Sequence, residues 1–445
     1  MSESRVDTLP PGLAAFAEDR KLFHDGTHRI TDPETTLARV LGCAAGIGLT
    51  WLGMVTGLDR IGIPVAVAYR PNSRSLATFQ GKGTSPAAAR VSAFMEALES
   101  FHAETIDAPL RFASWNELEP QARAVDPASL PKCRASAYRG DRPMLWIEGR
   151  DLTDGRTRLV PFELVSARFT IDQPPGSWCF AASTNGLASG NSPLEAIAHG
   201  LYETIERDAI ALWLHGAQPT SAARALDPAS IVAPMPLDLL DRCRRAGLRA
   251  ALWNASSDIA MPVIVCLLKS ESEGVVDMGS GCHADREIAL LRAISEAAQA
   301  RLTRIAGARE DVGDDAYPGD PLQGAGGQTS WFPDRARAEF AALPSPAGNT
   351  LRGDVAAVLA ALAQRGLSEV IHVDLTQPFF GVPVARVIVA GLEGPAHSSD
   401  IDYVPGARKG GEADVTAAVF LGPSLPQTIA RTHLDAVYLP PARRG

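Results

Sequence analysis

Three segments of this chain repeat one layout: a glycine-bearing stretch, a helix start, then a helix whose polar residues keep a zero, four, seven register. In the central segment, Asn185-Gly186 to Gly190-Asn191 runs into Ser192-Pro193-Leu194-Glu195, which reads as a capping box with proline at the first helical position. Along the helix that follows, His199, Glu203 and Glu206 share one face. Gln80-Gly81-Lys82-Gly83 leads to Ser85-Pro86 and a helix carrying Ser92, Glu96 and Glu99. Gly279-Ser280-Gly281-Cys282 leads to a start at Asp285 and a helix carrying Arg292, Glu296 and Gln299.

Like charges one turn apart cost roughly a few tenths of a kcal/mol, so the paired glutamates imply either a cation between them or a solvated acidic face, with Glu206 beside Arg207. A glycine-rich loop at a helix N-terminus presents N–H groups and a positive dipole end to an anion such as phosphate. Paired carboxylates suit Mg²⁺, which takes one or two of them and shares its remaining positions with water and phosphate. Together these features predict a Mg-nucleotide site built from three helices.

Helical periodicity covers 85–104, 192–215, 236–246, 285–305 and 353–365. Strand patterns cover 63–69, 143–150, 158–164, 248–254, 262–269, 369–375 and 380–390. Their interleaving predicts an α+β fold, α/β layers with mixed sheets covered by helices. Ala306 to Arg352, rich in Gly, Pro and Asp, reads as a surface excursion or an active-site lid, or as disorder. Arg386 lies inside an apolar run and needs a partner: a structural ion pair is expected, with the triphosphate or substrate as the alternative. Val40 to Leu58 carries no charge and has the length of a membrane span. Glycines at 42, 46, 48, 53 and 57 break it, so it reads as buried strands with glycine turns and not as a membrane helix.

A net charge of −9 argues against general nucleic-acid binding. Cysteines at 43, 133, 179, 243, 266 and 282 form no CxxC pair and read as reduced thiols. Without a secretory start before Pro10-Pro11, this predicts a cytoplasmic protein. His28, His283 and Cys282 lie in motif-like loops, and structural roles are the expectation for them over base or nucleophile.

The three segments resemble the nucleotide-binding motifs of the YcaO superfamily, ATP-dependent enzymes that activate peptide backbone amides. The resemblance begins near Gly26-Thr27-His28-Arg29, passes through Thr56-Gly57-Leu58-Asp59-Arg60-Ile61-Gly62-Ile63-Pro64-Val65, and ends near Gly394. It implies a YcaO domain over 1–394, with an N-terminal portion about 20–80, a nucleotide-site core about 80–305, the mobile stretch about 306–352 and a C-terminal portion 353–394. It also implies ATP and Mg²⁺ as cofactors. By position, Glu96, Glu99, Glu203 and Glu206 match the family's magnesium ligands, and Glu195 a further acidic residue of that site or only the capping-box glutamate. Asn191, Arg207, Arg292, Glu296 and Gln299 match positions near the nucleotide, and Lys82 and Ser92 match phosphate contacts. Arg207, Arg292 and Glu296 are the implied catalytic residues. Ser100 departs from the pattern, because many relatives have arginine there.

After a linker at 395–417, Ala418 to Pro426 and Asp435 to Gly445 resemble the opening of a TfuA domain. TfuA proteins accompany YcaO enzymes that replace a backbone carbonyl oxygen by sulfur, so the resemblance implies a thioamide-forming enzyme with a truncated, fused TfuA domain. Its implied partners are a ribosomally made precursor peptide, a sulfur donor and, in some relatives, a separate leader-peptide-binding protein. A homodimer is left open, and neither nucleic acid nor membrane is implied. An azoline-forming cyclodehydratase and a non-catalytic peptide-binding scaffold are the alternatives.

Overall fold

In the computed structural model, residues 9–394 are described apart from 122, 134–135, 215–220, 222, 271–274, 310–330 and 334–335, together with Gly406 and Arg408. The TfuA-like segment, nearly all of the linker and much of the 306–352 stretch therefore lie outside the described residues. Asp32-Pro33 opens helix α1 (Pro33–Val40), with the Asp32 carboxylate accepting the Thr35 N–H. Strands β1 (Trp51–Met54), β2 (Val65–Tyr69) and β3 (Thr78–Lys82) form an antiparallel sheet in that order, and helix α2 (Pro86–Glu104) packs on it.

A six-stranded sheet follows. Strand β4 (Leu110–Ala113), the short helix α3 (Trp115–Leu118), β5 (Met144–Asp151), β6 (Thr157–Pro161) and β7 (Leu187–Ser189) lead to helix α4 (Pro193–Leu214). Helix α5 (Pro234–Arg245) precedes a second three-stranded sheet, β8 (Leu248–Asn254), β9 (Val263–Ser270) and β10 (Val276–Cys282), which runs into helix α6 (Arg286–Ala306). Helix α7 (Leu351–Ala363) then returns the chain to the large sheet through β11 (Val370–Asp374) and β12 (Val384–Val389). That sheet has the order β4-β5-β11-β12-β7, with β6 paired to β5. All six residues of β12 are buried, as the continuous apolar run requires when both sheet faces are covered. The mixed α+β architecture is the one expected.

In each sheet the strand that leads into a motif helix, β3, β7 or β10, is the last strand. This corrects the reading of Gln80–Gly83 and Gly279–Cys282 as phosphate-cradling loops: most of their residues are strand. Their glycines serve close packing of strand on helix. A Cβ on Gly81 would stand 2.0 Å from the Ala93 backbone nitrogen and 2.3 Å from the Ala89 carbonyl oxygen. One on Gly279 would stand 2.1 Å from the Ala297 nitrogen and 2.4 Å from the Ala293 oxygen.

Two further expectations change. Val40 to Leu58 holds a single regular strand, β1, at a sheet edge, and Leu41, Trp51 and Leu58 are exposed rather than buried. Among the described residues no helix is long and apolar enough to cross a membrane. The Trp331-Phe332 pair is buried at 7% and 4% exposure, so the described end of the Gly/Pro/Asp-rich stretch belongs to the core. Trp331 sits edge-on to Trp213 and Trp253, at centroid distances of 5.2 and 6.2 Å, a geometry favoured by aromatic quadrupoles.

His372 on β11 is buried against Phe16. Burial lowers its pKa to about 4 from 6.5, the nearby Arg150 adding to the shift and Asp374 opposing it. The depressed value means that its contribution to stability is complete above pH 6.5 and is lost as pH falls toward 4. Urea unfolding across that window should show a loss of about 3 kcal/mol that His372→Leu removes, since one pKa unit corresponds to about 1.4 kcal/mol.

Candidate active site

The three motif helices start where the sequence places them. Ser85 accepts the Ala88 N–H at 3.1 Å, and Asp285 caps α6 through the Glu287 N–H at 2.8 Å. Only half of the expected capping box forms on α4. Ser192 Oγ accepts the Glu195 N–H at 3.2 Å, but the Glu195 carboxylate takes the Asn191 N–H and Nδ2–H instead of reaching back to Ser192. It also accepts Arg29 Nη1 at 3.3 Å and the Ile30 N–H at 3.1 Å. The Asn191 Oδ1 atom accepts from Thr36 and Arg39. Glu195 and Asn191 thus dock residues 29–39 onto the α4 N-terminus.

The other four glutamates converge from α2 and α4. Because β3, β7 and β10 are end strands, some of their N–H groups have no strand to pair with, and glutamates take them. Glu96 accepts the Gln80 N–H at 2.8 Å. The Glu99 carboxylate accepts the Ser189 N–H at 2.7 Å and its Oγ at 2.6 Å. Glu206 accepts Ser280 Oγ at 2.7 Å and the Cys282 N–H at 2.8 Å. Among the described residues Glu203 has only the ion pair with Arg207, at 4.0 Å. These carboxylates therefore tie three sheet edges together, a role that the helical register does not disclose. The recurring Ser-Gly dipeptides, Ser189-Gly190 and Ser280-Gly281, are the sequence signal that would have revealed it.

Electrostatically the site sets clustered carboxylates beside the cations Lys82, Arg207 and Arg292. Burial raises the Glu96 carboxyl. It lifts Glu99 to about 8, with the Glu96 and Glu203 charges adding to the effect. Glu203 rises to about 7, again chiefly by burial, with Glu206 adding and Arg207, Arg386 and Arg292 opposing. Burial would likewise raise Glu296, but Lys82 at 2.7 Å, then Arg207 and Arg292, hold it below its usual value. The Arg292 Nη atoms lie 3.4 and 3.3 Å from His199 Nε2, while its buried Nε has no hydrogen-bond partner among the described residues. Burial keeps the His199 pKa far below 6.5, and Arg292, Arg29 and Lys82 lower it further, so three cations surround a neutral imidazole. Ser92 and Gln299 are half-buried one turn from Glu96 and Glu296 on their helices.

Paired carboxylates that raise one another's pKa fit a divalent cation, and Lys82, Arg207 and Arg292 fit phosphate oxygens. Among the described residues no group of three or more His, Cys, Asp or Glu side chains is placed to hold a metal ion by itself. Mg²⁺ characteristically leaves part of its shell to phosphate and water, so it needs no such group.

The remaining candidates sort differently. Cys282 is fully buried, burial and then the Glu206 charge push its thiol well above its usual pKa, and its N–H serves Glu206. His283 Nδ1 accepts the Asp285 N–H. His28 approaches Lys21 at 3.3 Å, and that ammonium is paired with Asp354. These contacts are structural. All six cysteines are free thiols. Arg386 does not form the expected ion pair: it donates Nη2–H to the Ser183 carbonyl at 2.7 Å and has no carboxylate within salt-bridge distance among the described residues.

Residues 80–393 match the family described as YcaO cyclodehydratase, ATP- and Mg²⁺-binding. The chain is 34% identical over 408 residues to a protein of Rhizobium leguminosarum bv. trifolii described as an uncharacterized protein in the tfuA 3′ region, covering 87% of this chain and 93% of the relative. It is 27% identical to YcaO from Methanopyrus kandleri, solved with AMPPCP and Mg²⁺, with a TM-score of 0.68 over 84% of this chain and 95% of that one. A heterocyclase solved in complex with substrate and cofactor shares the fold at a TM-score of 0.71 and 22% identity. That match covers 85% of this chain and 54% of the heterocyclase.

Proposed function

The chain belongs to the YcaO family, whose description is ATP- and Mg²⁺-binding, and from that premise we propose that it activates a backbone amide of a ribosomally made precursor peptide with ATP and inserts sulfur to give a thioamide. The observation that carries the ATP-dependent part is the cluster of Glu96, Glu99, Glu203 and Glu206 beside Lys82, Arg207 and Arg292. Glu96, Glu99, Glu203 and Glu206 would hold Mg²⁺, which when bound neutralises the triphosphate and orients it for in-line transfer. Hydrosulfide, free or released by a donor protein at the sulfide oxidation level, adds to the carbonyl carbon, and the resulting oxyanion attacks the γ-phosphorus and releases ADP. Loss of phosphate with the former carbonyl oxygen, and of a proton, leaves C=S. Arg207 and Arg292 balance charge on the transferred group, Lys82 contacts phosphate, and Glu296 keeps Lys82 in place.

Sulfur insertion is supported by the tfuA context in the rhizobial relative's description and by the TfuA-like residues 418–445. A TfuA domain and a sulfur donor are accordingly the proposed partners. The family's description as cyclodehydratase favours a second reading, in which a Cys, Ser or Thr of the substrate is the nucleophile and the product an azoline. Mass spectrometry of a co-encoded precursor peptide, incubated with the chain, its TfuA partner, Mg-ATP and sulfide, separates the two. A gain equal to exchanging oxygen for sulfur is expected, whereas loss of one water moves the assignment to the azoline.

A further inference from the structure

Arg386 is among the largest fully buried side chains, at 2% exposure, yet among the described residues only one of its guanidinium nitrogens has a partner. The Nε and Nη1 atoms are buried without a hydrogen bond among the described residues. A second orphan lies in the turn that Arg386 touches: Asn185 Oδ1 is also buried and unpaired. The turn is fixed tightly. Asn185 N–H donates to Ser183 Oγ at 3.3 Å, Leu187 N–H to the Thr184 carbonyl at 2.9 Å, and Val387 N–H to the Gly186 carbonyl at 2.8 Å. Arg386 stands opposite Leu187 in the β12–β7 register, so the orphan donors and the orphan acceptor come from adjoining backbone. The charged group that acts on the guanidinium is Glu203, which places Arg386 beside the clustered glutamates.

A buried guanidinium with free N–H groups and a buried free carbonyl carry a desolvation cost that a native fold retains where a ligand relieves it. The chemistry of that ligand follows from the pairing. An ionised carboxylate or fully ionised phosphoryl oxygens would satisfy Arg386 and leave Asn185 Oδ1 unpaired, because they bring acceptors only. A secondary amide brings both an acceptor and a donor. We propose that Arg386 and Asn185 form the docking point of the substrate's backbone amide, its carbonyl oxygen on Arg386 and its N–H on Asn185 Oδ1. This rests on the reading of the chain as an amide-modifying enzyme and names the residues that would hold the amide. In this position Arg386 also meets the oxyanion as it forms, when a charge-assisted bond is at its strongest.

The test is a binding measurement on the full chain labelled with ¹⁵N-arginine, following the Nε–Hε signal of Arg386, assigned by its loss in Arg386→Lys. N-acetylglycine N-methylamide should shift the signal saturably. The analogue with every amide hydrogen replaced by methyl should bind about tenfold more weakly, because Asn185 Oδ1 then stays unpaired. Asn185→Leu should abolish that difference, an effect that a merely structural asparagine would not produce. A signal moved by inorganic phosphate and not by the amide, or by neither, overturns the proposal. Arg386→Met should melt no lower than the parent, since it removes a buried charge held by one bond. A large drop in melting temperature would mark Arg386 as a structural tie and also overturn it. None of these readouts uses ATP or sulfur, so a failed product assay and a failed amide titration remain distinguishable.

Discussion

Glu203→Ala should abolish ATP-dependent peptide modification while leaving the melting temperature unchanged or higher. Glu203 is the least tied of the four carboxylates, its one ion pair among the described residues being with Arg207 at 4.0 Å, and its own acidity is weakened by burial and by Glu206. Removing it breaks little and relieves crowding of like charge. The loss in turnover should be about a hundredfold to a thousandfold, the scale set by deleting one preorganised electrostatic group from an active site. Glu206→Ala makes the informative contrast, because it frees both Ser280 Oγ and the buried Cys282 N–H. An unpaired buried donor costs about 1–3 kcal/mol, so this variant should lose stability as well as turnover. Steady-state ATP consumption with a precursor peptide, paired with thermal melts, reads both effects. Full activity in Glu203→Ala would show that Glu203 takes no part in the reaction.

The grouping of Glu96, Glu99, Glu203 and Glu206 was legible because helical register is a local property: four- and three-residue spacings put side chains on one face in any helix. The strands β3, β7 and β10 were not, because TFQGK, LAS and VDMGSGC lack the alternation of branched residues that marks a strand, and glycine reads as a turn. What makes them strands is tertiary. Each pairs with one neighbour, and β3 and β10 lie against a helix close enough to exclude a Cβ at Gly81 and Gly279. Arg386 shows the same limit. The apolar run around it announced burial, but a buried arginine's partner is fixed by strand pairing with a distant turn, and here no carboxylate supplies it. The burial of Trp331-Phe332 had a local signal in two adjacent large aromatics, outweighed in the sequence reading by the Gly, Pro and Asp around them.

The glycine reassignment has a large measurable consequence. Gly279→Ala and Gly81→Ala should each destabilise the chain by about 3 kcal/mol or more, at the upper end of overpacking effects. The added methyl meets helix backbone rather than a movable side chain, at 2.1 Å from the Ala297 nitrogen in one case and 2.0 Å from the Ala93 nitrogen in the other. Relief requires shifting α6 or α2 off its strand. Gly57→Ala is the control: a Cβ there meets nothing within 4 Å, so its effect should stay within about 0.5 kcal/mol. Urea unfolding distinguishes this from the phosphate-loop reading, under which the alanines would leave stability intact and raise the KM for ATP. That outcome is disfavoured because the Gln80 and Cys282 N–H groups are already bonded to Glu96 and Glu206. Since α6 also carries Arg292 and Glu296, even a Gly279→Ala protein that still folds should turn over slowly, as a displacement of about 1 Å can cost about a hundredfold when catalysis depends on placement.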